Sequence, residues 1–487
     1  MGLKIKIFLL GLLIVTALQF TSKAKYFRWF DYHKTPATVD IIDELDYAYI
    51  GYTLRQNGIS TGWSMMNYYQ TLGSQYQTHY KQACIYKNNL KPSLKNIKYF
   101  NYPIYTTIET DIGKGKEHLT LVQPFVDHPP LASLLYSLSL KDITDIGQVR
   151  TSDYRKVSVY LSILNIFLLY IFTFVYTQKV IPSIISSILY SNLTVFVLSS
   201  RFALLENTVI PLSLISLIAT QLYQKNSKKF YLYLNSLAIG LALLTKLTAI
   251  YLIFIQLYLL ASKKITKKEF ITIIITVVLI NLPYYLYLYY ISPKLLISML
   301  IDQSNRPFFG SLNFLISSTQ LKFKNFPIDA FWLFSFISIF LTKKYTSLKS
   351  FFLISLLSTL FLSSGNYPWY YLIFIPFLIF FLSNFIYQLF VKPKLITLIL
   401  FIIMPLSTLF YWGYIVYHTN NTLPIYRLLI LIPILLYLLT SKFKLKTVWS
   451  IIFFLLLVQA YQWSFQAFQY QIKNFGKIDQ PQFIINR

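Results

Sequence analysis

TAIYLIFIQLYLLASKKITKKEFITIIITVVLINLPYYLYLYY, residues 248–290, holds two apolar runs, at about 248–262 and 270–290, parted by Lys263, Lys264, Lys267 and Lys268. An apolar run of about 18 residues crosses the hydrocarbon core of a bilayer as a helix. Short loops that gather Lys and Arg stay in the cytoplasm. The stretch therefore reads as a helical hairpin whose lysine turn is cytoplasmic. The same pattern repeats outward. Lys225, Lys228 and Lys229 precede it, and Lys343 with Lys344, Lys392 with Lys394, and Lys442, Lys444 and Lys446 follow, one cluster after every second apolar run.

Composition agrees. Of 487 residues, 55% are hydrophobic, 18% aromatic and 13% charged, a balance foreign to soluble domains. The net charge of +27 would suit a nucleic acid only if it were gathered on one face of a soluble fold. Here membrane topology spaces the lysines, so no nucleic-acid partner is expected. Cys84 is the only cysteine, which excludes an intramolecular disulfide and disfavours a cysteine metal site.

Residues 5–20 follow Lys4 and Lys6 and read as an uncleaved anchor with its N-terminus inside. Further spans are expected near 157–176, 180–198, 206–224, 230–245, 248–262, 270–290, 328–342, 349–364, 369–390, 395–415, 425–440 and 447–463. With the anchor they make about thirteen transmembrane helices in an all-α polytopic domain over residues 1–463. The odd number puts a short tail, 464–487, outside. A large first external loop is expected at 21–155, where twelve of the seventeen acids lie, and a second at 291–326, with Asp302, Arg306 and Pro307. The apolar but short 129–140 reads as an interfacial helix under the first loop.

Chemistry is sought at external boundaries. Asp43 and Glu44 open DELDYAYIGYTLRQNG just outside the anchor. Adjacent carboxylates there are either a solvated helix N-terminus or a site reached by water or substrate. FVDHPPLASLL closes the loop, and its tandem prolines hold Asp127 and His128 at the entrance of the next helix. In SSRFALLEN, Arg201 and Glu206 are spaced to pair on a helical turn, yet an Arg in a chain rich in Lys also offers bidentate phosphate binding. Lys246 stands on the external side, where the positive-inside rule asks for no lysine. It either snorkels to headgroups or binds a phosphate. In SGNYPWYYLIFIPFL, Tyr370 and Tyr371 suit an aromatic belt or hydrogen bonds to a phosphate or sugar. DIGKGKEH lacks the spacing of a phosphate loop. No His/Asp/Glu group has metal-ligand spacing, so neither metal nor other cofactor is expected.

In order and topology these elements resemble the polytopic glycosyltransferases of the protein O-mannosyltransferase and lipid A aminoarabinose-transferase superfamily. Asp43-Glu44 with Tyr47-Ala48 is similar to the acidic motif of the first external loop, and His128-Pro129-Pro130-Leu131 to the HPPL element. Arg201 to Glu206 is similar to the Arg-then-acid motif, although the second member is often Asp, and Gly240 with Thr245-Lys246 to the Gly-to-Lys stretch that follows. The likeness covers roughly residues 5–260 and then rests on hydrophobic pattern and the Pro-Trp-Tyr segment.

What the resemblance implies is a GT-C fold and an inverting transfer from a polyprenyl-phosphate-linked sugar to a protein, lipid or envelope-polymer acceptor on the non-cytoplasmic face. Asp43 would be the base, with Glu44 orienting acceptor or structure. Arg201, Lys246, Arg306, Tyr370 and Tyr371 would hold the donor phosphate, while Asp127, His128 and Glu206 would shape the site or touch the acceptor. The alternative is a polytopic lipid or solute transporter or flippase, which tends to show repeated halves and ionisable residues at mid-membrane. An enzyme of the oligosaccharyltransferase type would want a larger soluble tail, and a non-catalytic scaffold would keep the fold alone.

Overall fold

The computed structural model describes residues 3–29, 32, 41–63, 106–111, 116–122, 124–140, 150–291, 293–304, 330–362, 368–410, 423–443, 445–475 and 483–484. Arg306, Pro307 and Cys84 lie outside them, as does most of the second external loop.

The N-terminal anchor is α1 (Leu3–Gln19), followed at a 67° bend by α2 (Ser22–Trp29). The first loop holds α3 (Ile41–Asn57), β1 (Gly62–Trp63), β2 (Thr106–Asp111), β3 (Lys116–Val122) and the short α4 (Leu131–Ser137), the helix expected under it. Then come α5 (Thr151–Thr177), α6 (Val180–Asn192), α7 (Thr194–Ser199), α8 (Leu205–Asn226), α9 (Lys229–Leu243), a 3-10 turn (Leu247–Ile250) leading into α10 (Tyr251–Ala261), α11 (Lys267–Ile291) and α12 (Pro293–Ser304). The last part holds α13 (Phe331–Leu341), α14 (Thr346–Leu362), a 3-10 segment (Pro368–Phe374) leading into α15 (Ile375–Val391), and α16 (Leu395–Phe401) continuing through a π-turn (Ile402–Leu406) into α17 (Ser407–Phe410). It closes with α18 (Leu423–Lys442), α19 (Lys446–Phe475) and β4 (Phe483–Ile484).

Helix occupies each of the thirteen apolar stretches expected from the sequence. Among the described residues, five helices are long and apolar enough to span a bilayer unaided, at Ser152–Thr177, Leu205–Asn226, Lys267–Tyr290, Tyr370–Val391 and Thr447–Tyr470, and the bent α1–α2 pair makes a sixth. The others are shorter apolar helices of 10–17 residues. The protein is an integral, multi-pass membrane protein. Burial ranks the spans: 89% of the apolar window of Tyr370–Val391 and 78% of that of Leu205–Asn226 are inside the protein, against 22% for Lys267–Tyr290, so the first two form the centre and α11 faces lipid.

Helices in lipid gain little from apolar contact with one another, since acyl chains are as apolar as leucine; close packing at small residues and interhelical hydrogen bonds hold them together. Ser186 and Ser187 of α6 donate to the carbonyls of Leu169 and Ile166 on α5, at 3.2 and 2.9 Å. Ser216 of α8 donates to Asn235 Oδ1 of α9 at 2.6 Å.

One feature is additional to the helical expectation. The three strands of the first loop and β4, from after α19, form a four-stranded antiparallel sheet of order β1-β3-β2-β4, with Thr106 opposite Leu121 and Glu109 opposite Ile484. Beside the sheet, α3 packs directly on α4. A Cβ on Gly51 would stand 1.8 Å from the Ser133 carbonyl oxygen, so only glycine permits this approach.

Candidate active site

The α7–α8 turn, the α9–α10 turn and the first loop, which the lysine pattern assigns to one side, are joined by hydrogen bonds. The α7–α8 turn is fixed from within by Asn207, whose amide donates to the carbonyls of Ser199 and Phe202 at 2.9 and 2.7 Å. The first loop is tied to both turns by the Leu131 amide, which donates to the Leu244 carbonyl at 3.0 Å, and by the Tyr136 hydroxyl, which donates to the Leu204 carbonyl.

Glu44, in the first turn of α3, is buried and accepts two charged hydrogen bonds from Arg155 of α5, Nη2 to Oε1 at 2.6 Å and Nε to Oε2 at 2.9 Å. Its Oε2 also accepts the Ala203 amide at 2.7 Å. The Arg155 guanidinium lies 5.0 Å above the Phe202 ring. Glu44 thereby joins α3 to α5 and to the α7–α8 turn. Of the two carboxylates, Asp43 keeps partial exposure while Glu44 is enclosed.

Lys246 does not snorkel. It is 4% exposed, its ammonium donates to Glu206 Oε1, and it sits 4.1 Å from the centroid of the Tyr370 ring. Glu206 is 1% exposed, and its Oε2 has no hydrogen-bond partner among the described residues. The charge partner of Glu206 is thus Lys246 from the α9–α10 turn, and the pairing with Arg201 that the spacing allowed is replaced by a contact forty residues apart in sequence.

Tyr47 links the halves. It is buried on α3 one turn after Asp43, and burial, then the carboxylates of Asp43 and Glu206, push its hydroxyl well above the usual tyrosine range. The same ring meets the His128 imidazole edge-on at 5.7 Å. Asp43, Tyr47, Ile50 and Leu54 follow helical spacing along one face of α3. Ile50 and Leu54 continue that face into an apolar cavity of about 230 Å³. His128, Phe125, Tyr284 and Tyr287 also line it, with Ser60 and Pro130, and the Tyr284 hydroxyl donates to the His128 carbonyl at 3.3 Å. Asp127 is buried within electrostatic reach of Tyr284. Tyr371 is also buried, its ring 5.7 Å edge-on from Phe374.

The described contacts of Arg201 run the other way. Its Nη2 donates to the carbonyls of Phe27 and Tyr26, and its guanidinium lies 4.6 Å above Phe468. Nearby, the buried Arg28 donates to Ser162, Ser200 and the Tyr190 carbonyl at 3.1, 2.8 and 2.9 Å. Sequence reading missed Arg28 and Arg155. The available signal was their type, for only eight of the 44 basic residues are arginine. Among the described residues no group of three His, Cys, Asp or Glu side chains is placed to hold a metal ion.

Residues 127–287 match the family of dolichyl-phosphate-mannose-protein mannosyltransferases. Two crystal structures of ArnT from Cupriavidus metallidurans share the fold. The apo form superimposes with a TM-score of 0.54 at 13% identity, covering 95% of this chain and 75% of that one. The form bound to undecaprenyl phosphate gives 0.53 at 12% identity, covering 95% and 77%. No curated protein matches the chain. The matched segment is about a third of the chain, and the likeness to ArnT shows a shared GT-C-type fold.

Proposed function

We propose that the protein transfers a sugar from a polyprenyl-phosphate donor to a hydroxyl of a protein, lipid or envelope-polymer acceptor on the non-cytoplasmic face, with inversion at the anomeric carbon. The observation that carries this reading is the meeting, around Tyr47, of a partly exposed carboxylate on Asp43 and a buried cation on Lys246. A displacement with a phosphate leaving group needs a base at one end and a positive charge at the other.

Asp43 takes the proton of the acceptor hydroxyl as the acceptor oxygen bonds to the anomeric carbon. The bond from that carbon to the phosphate oxygen breaks, and the lipid phosphate departs with the electron pair. Lys246, backed by the Tyr370 ring, holds that phosphate, and Tyr371 flanks it. We assign Arg201 to holding α2 and α19 behind the site, in keeping with its carbonyl partners. His128 and Asp127 shape the acceptor side, where the apolar cavity opens. The GT-C match and the undecaprenyl phosphate held by the related fold support the choice of donor.

The test is incubation of purified protein with a panel of radiolabelled polyprenyl-phosphate sugars and envelope extracts, following label moved to acceptor. Asp43→Asn should lower turnover by about two to four orders of magnitude at unchanged expression, the usual worth of a general base. Full activity in that variant refutes the assignment.

A further inference from the structure

We propose that Glu206 decides which charge state of phosphate Lys246 retains: it admits the monoanionic phosphodiester of a lipid-linked sugar and weakens the hold on the dianionic phosphomonoester that transfer leaves behind. The inference rests on the proposed role of Lys246 as the phosphate ligand.

A lysine meant only to grip phosphate would do so best unopposed. Lys246 instead shares a buried position with a carboxylate in direct contact, so the pair is close to neutral before any ligand arrives. One oxygen of Glu206 is spent on Lys246, while Oε2 is enclosed without a hydrogen-bond partner among the described residues. With no described donor to dissipate the charge on that atom, it acts on whatever anion approaches Lys246. The described groups around the pair include Tyr370 under the ammonium and Tyr47 and Tyr136, both within electrostatic reach of Glu206 and both held neutral by burial; Asp43 and Asp46 add negative charge near Tyr47, and Glu44 near Tyr136.

A sugar phosphodiester carries one negative charge, balanced by Lys246 against a single repulsion from Glu206. When the anomeric C–O bond breaks, the phosphate keeps the electron pair and gains a second charge. At about 6 Å from Glu206, with an effective dielectric of about 20, that extra charge meets a repulsion worth roughly a hundredfold in binding, which offsets much of what it gains from Lys246. The carboxylate thereby turns the charge created by the reaction into a force that expels the spent carrier, on a site where a lone lysine would bind the product more tightly than the substrate.

Binding of two probes to the purified full chain in nanodiscs tests this: a short polyprenyl phosphate and its methyl phosphodiester, which stays monoanionic. At pH 8 the wild type should bind the diester at least as tightly as the monoester, and Glu206→Gln should shift the ratio of dissociation constants at least tenfold toward the monoester. Lys246→Met serves as the reference for the site. If it weakens both probes while Glu206→Gln leaves the ratio unchanged, Glu206 merely holds the lysine and the inference is overturned, with the phosphate site standing. If Lys246→Met affects neither probe, the phosphate assignment itself falls and takes the inference with it. Should Glu206→Gln fail to accumulate as folded protein, the wild type decides alone. The second ionisation of a phosphomonoester lies near pH 6. On lowering the pH from 8 to 5, monoester affinity relative to diester should therefore rise; a fall, meaning that the dianion binds better, overturns the proposal.

Discussion

Arg155→Met isolates the role assigned to Glu44. The substitution removes two charged hydrogen bonds, at 2.6 and 2.9 Å, and leaves a carboxylate that is 1% exposed with the Ala203 amide as its remaining described partner. Breaking a buried ion pair from one side costs about 3–5 kcal/mol, because the surviving charge stays buried and uncompensated. Glu44→Gln keeps the shape and gives up the charge, which strands the guanidinium and should cost about as much. The double variant removes both charges and should recover much of the loss, with a coupling on the order of 2–3 kcal/mol. Denaturant-induced unfolding in detergent, followed by tryptophan fluorescence, measures all four proteins. The reasoning fails if either single variant retains wild-type stability, and it fails more instructively if both are stable yet inactive. Glu44 would then belong to the reaction and not to the joint between α3 and α5.

Lys246→Met should raise the KM for a lipid-phosphate donor by at least about tenfold, the loss of one charged hydrogen bond, and should also lower stability because it leaves the Glu206 carboxylate buried without its charge partner; donor titration of the folded fraction reads the first effect. Tyr47 has a hydroxyl whose pKa in the fold is raised above its unfolded value of about 10. Its contribution is thus fully present at neutral pH and lost as the pH rises above about 10. Tyr47→Phe should flatten that alkaline loss, as measured by thermal unfolding between pH 8 and 11. Gly51→Leu should destabilise by at least about 1–3 kcal/mol, since its side chain has to displace the Ser133 backbone; a neutral result in the same unfolding assay would refute the close approach of α3 and α4.

The membrane fold was legible because lysine turns and apolar runs are local features that lipid enforces one at a time. Residues 129–140 were likewise readable as a helix too short to span. The candidate site was read from the sequence as separate boundary positions, Asp43, His128, Glu206, Lys246 and Tyr370, while the pairs they form were not legible. Spacing offers Arg201 to Glu206, whereas the fold gives Lys246 to Glu206 and sends Arg201 toward the carbonyls of α2. Nothing local announces that Glu44 will meet Arg155, 111 residues on. The same holds for the loop sheet, whose β2 and β3 lie in a polar stretch without a strong alternating pattern.

That sheet bears on how the protein is made. Ile484 pairs with Glu109, which precedes it by 375 residues. At translation rates of about 5–20 residues per second, the edge of β2 waits roughly 20–75 seconds for β4. Throughout that interval the nascent loop presents an unpaired strand outside the membrane while the remaining helices are still being inserted. Pairing with β4 therefore comes only after the helices between the two strands have been made.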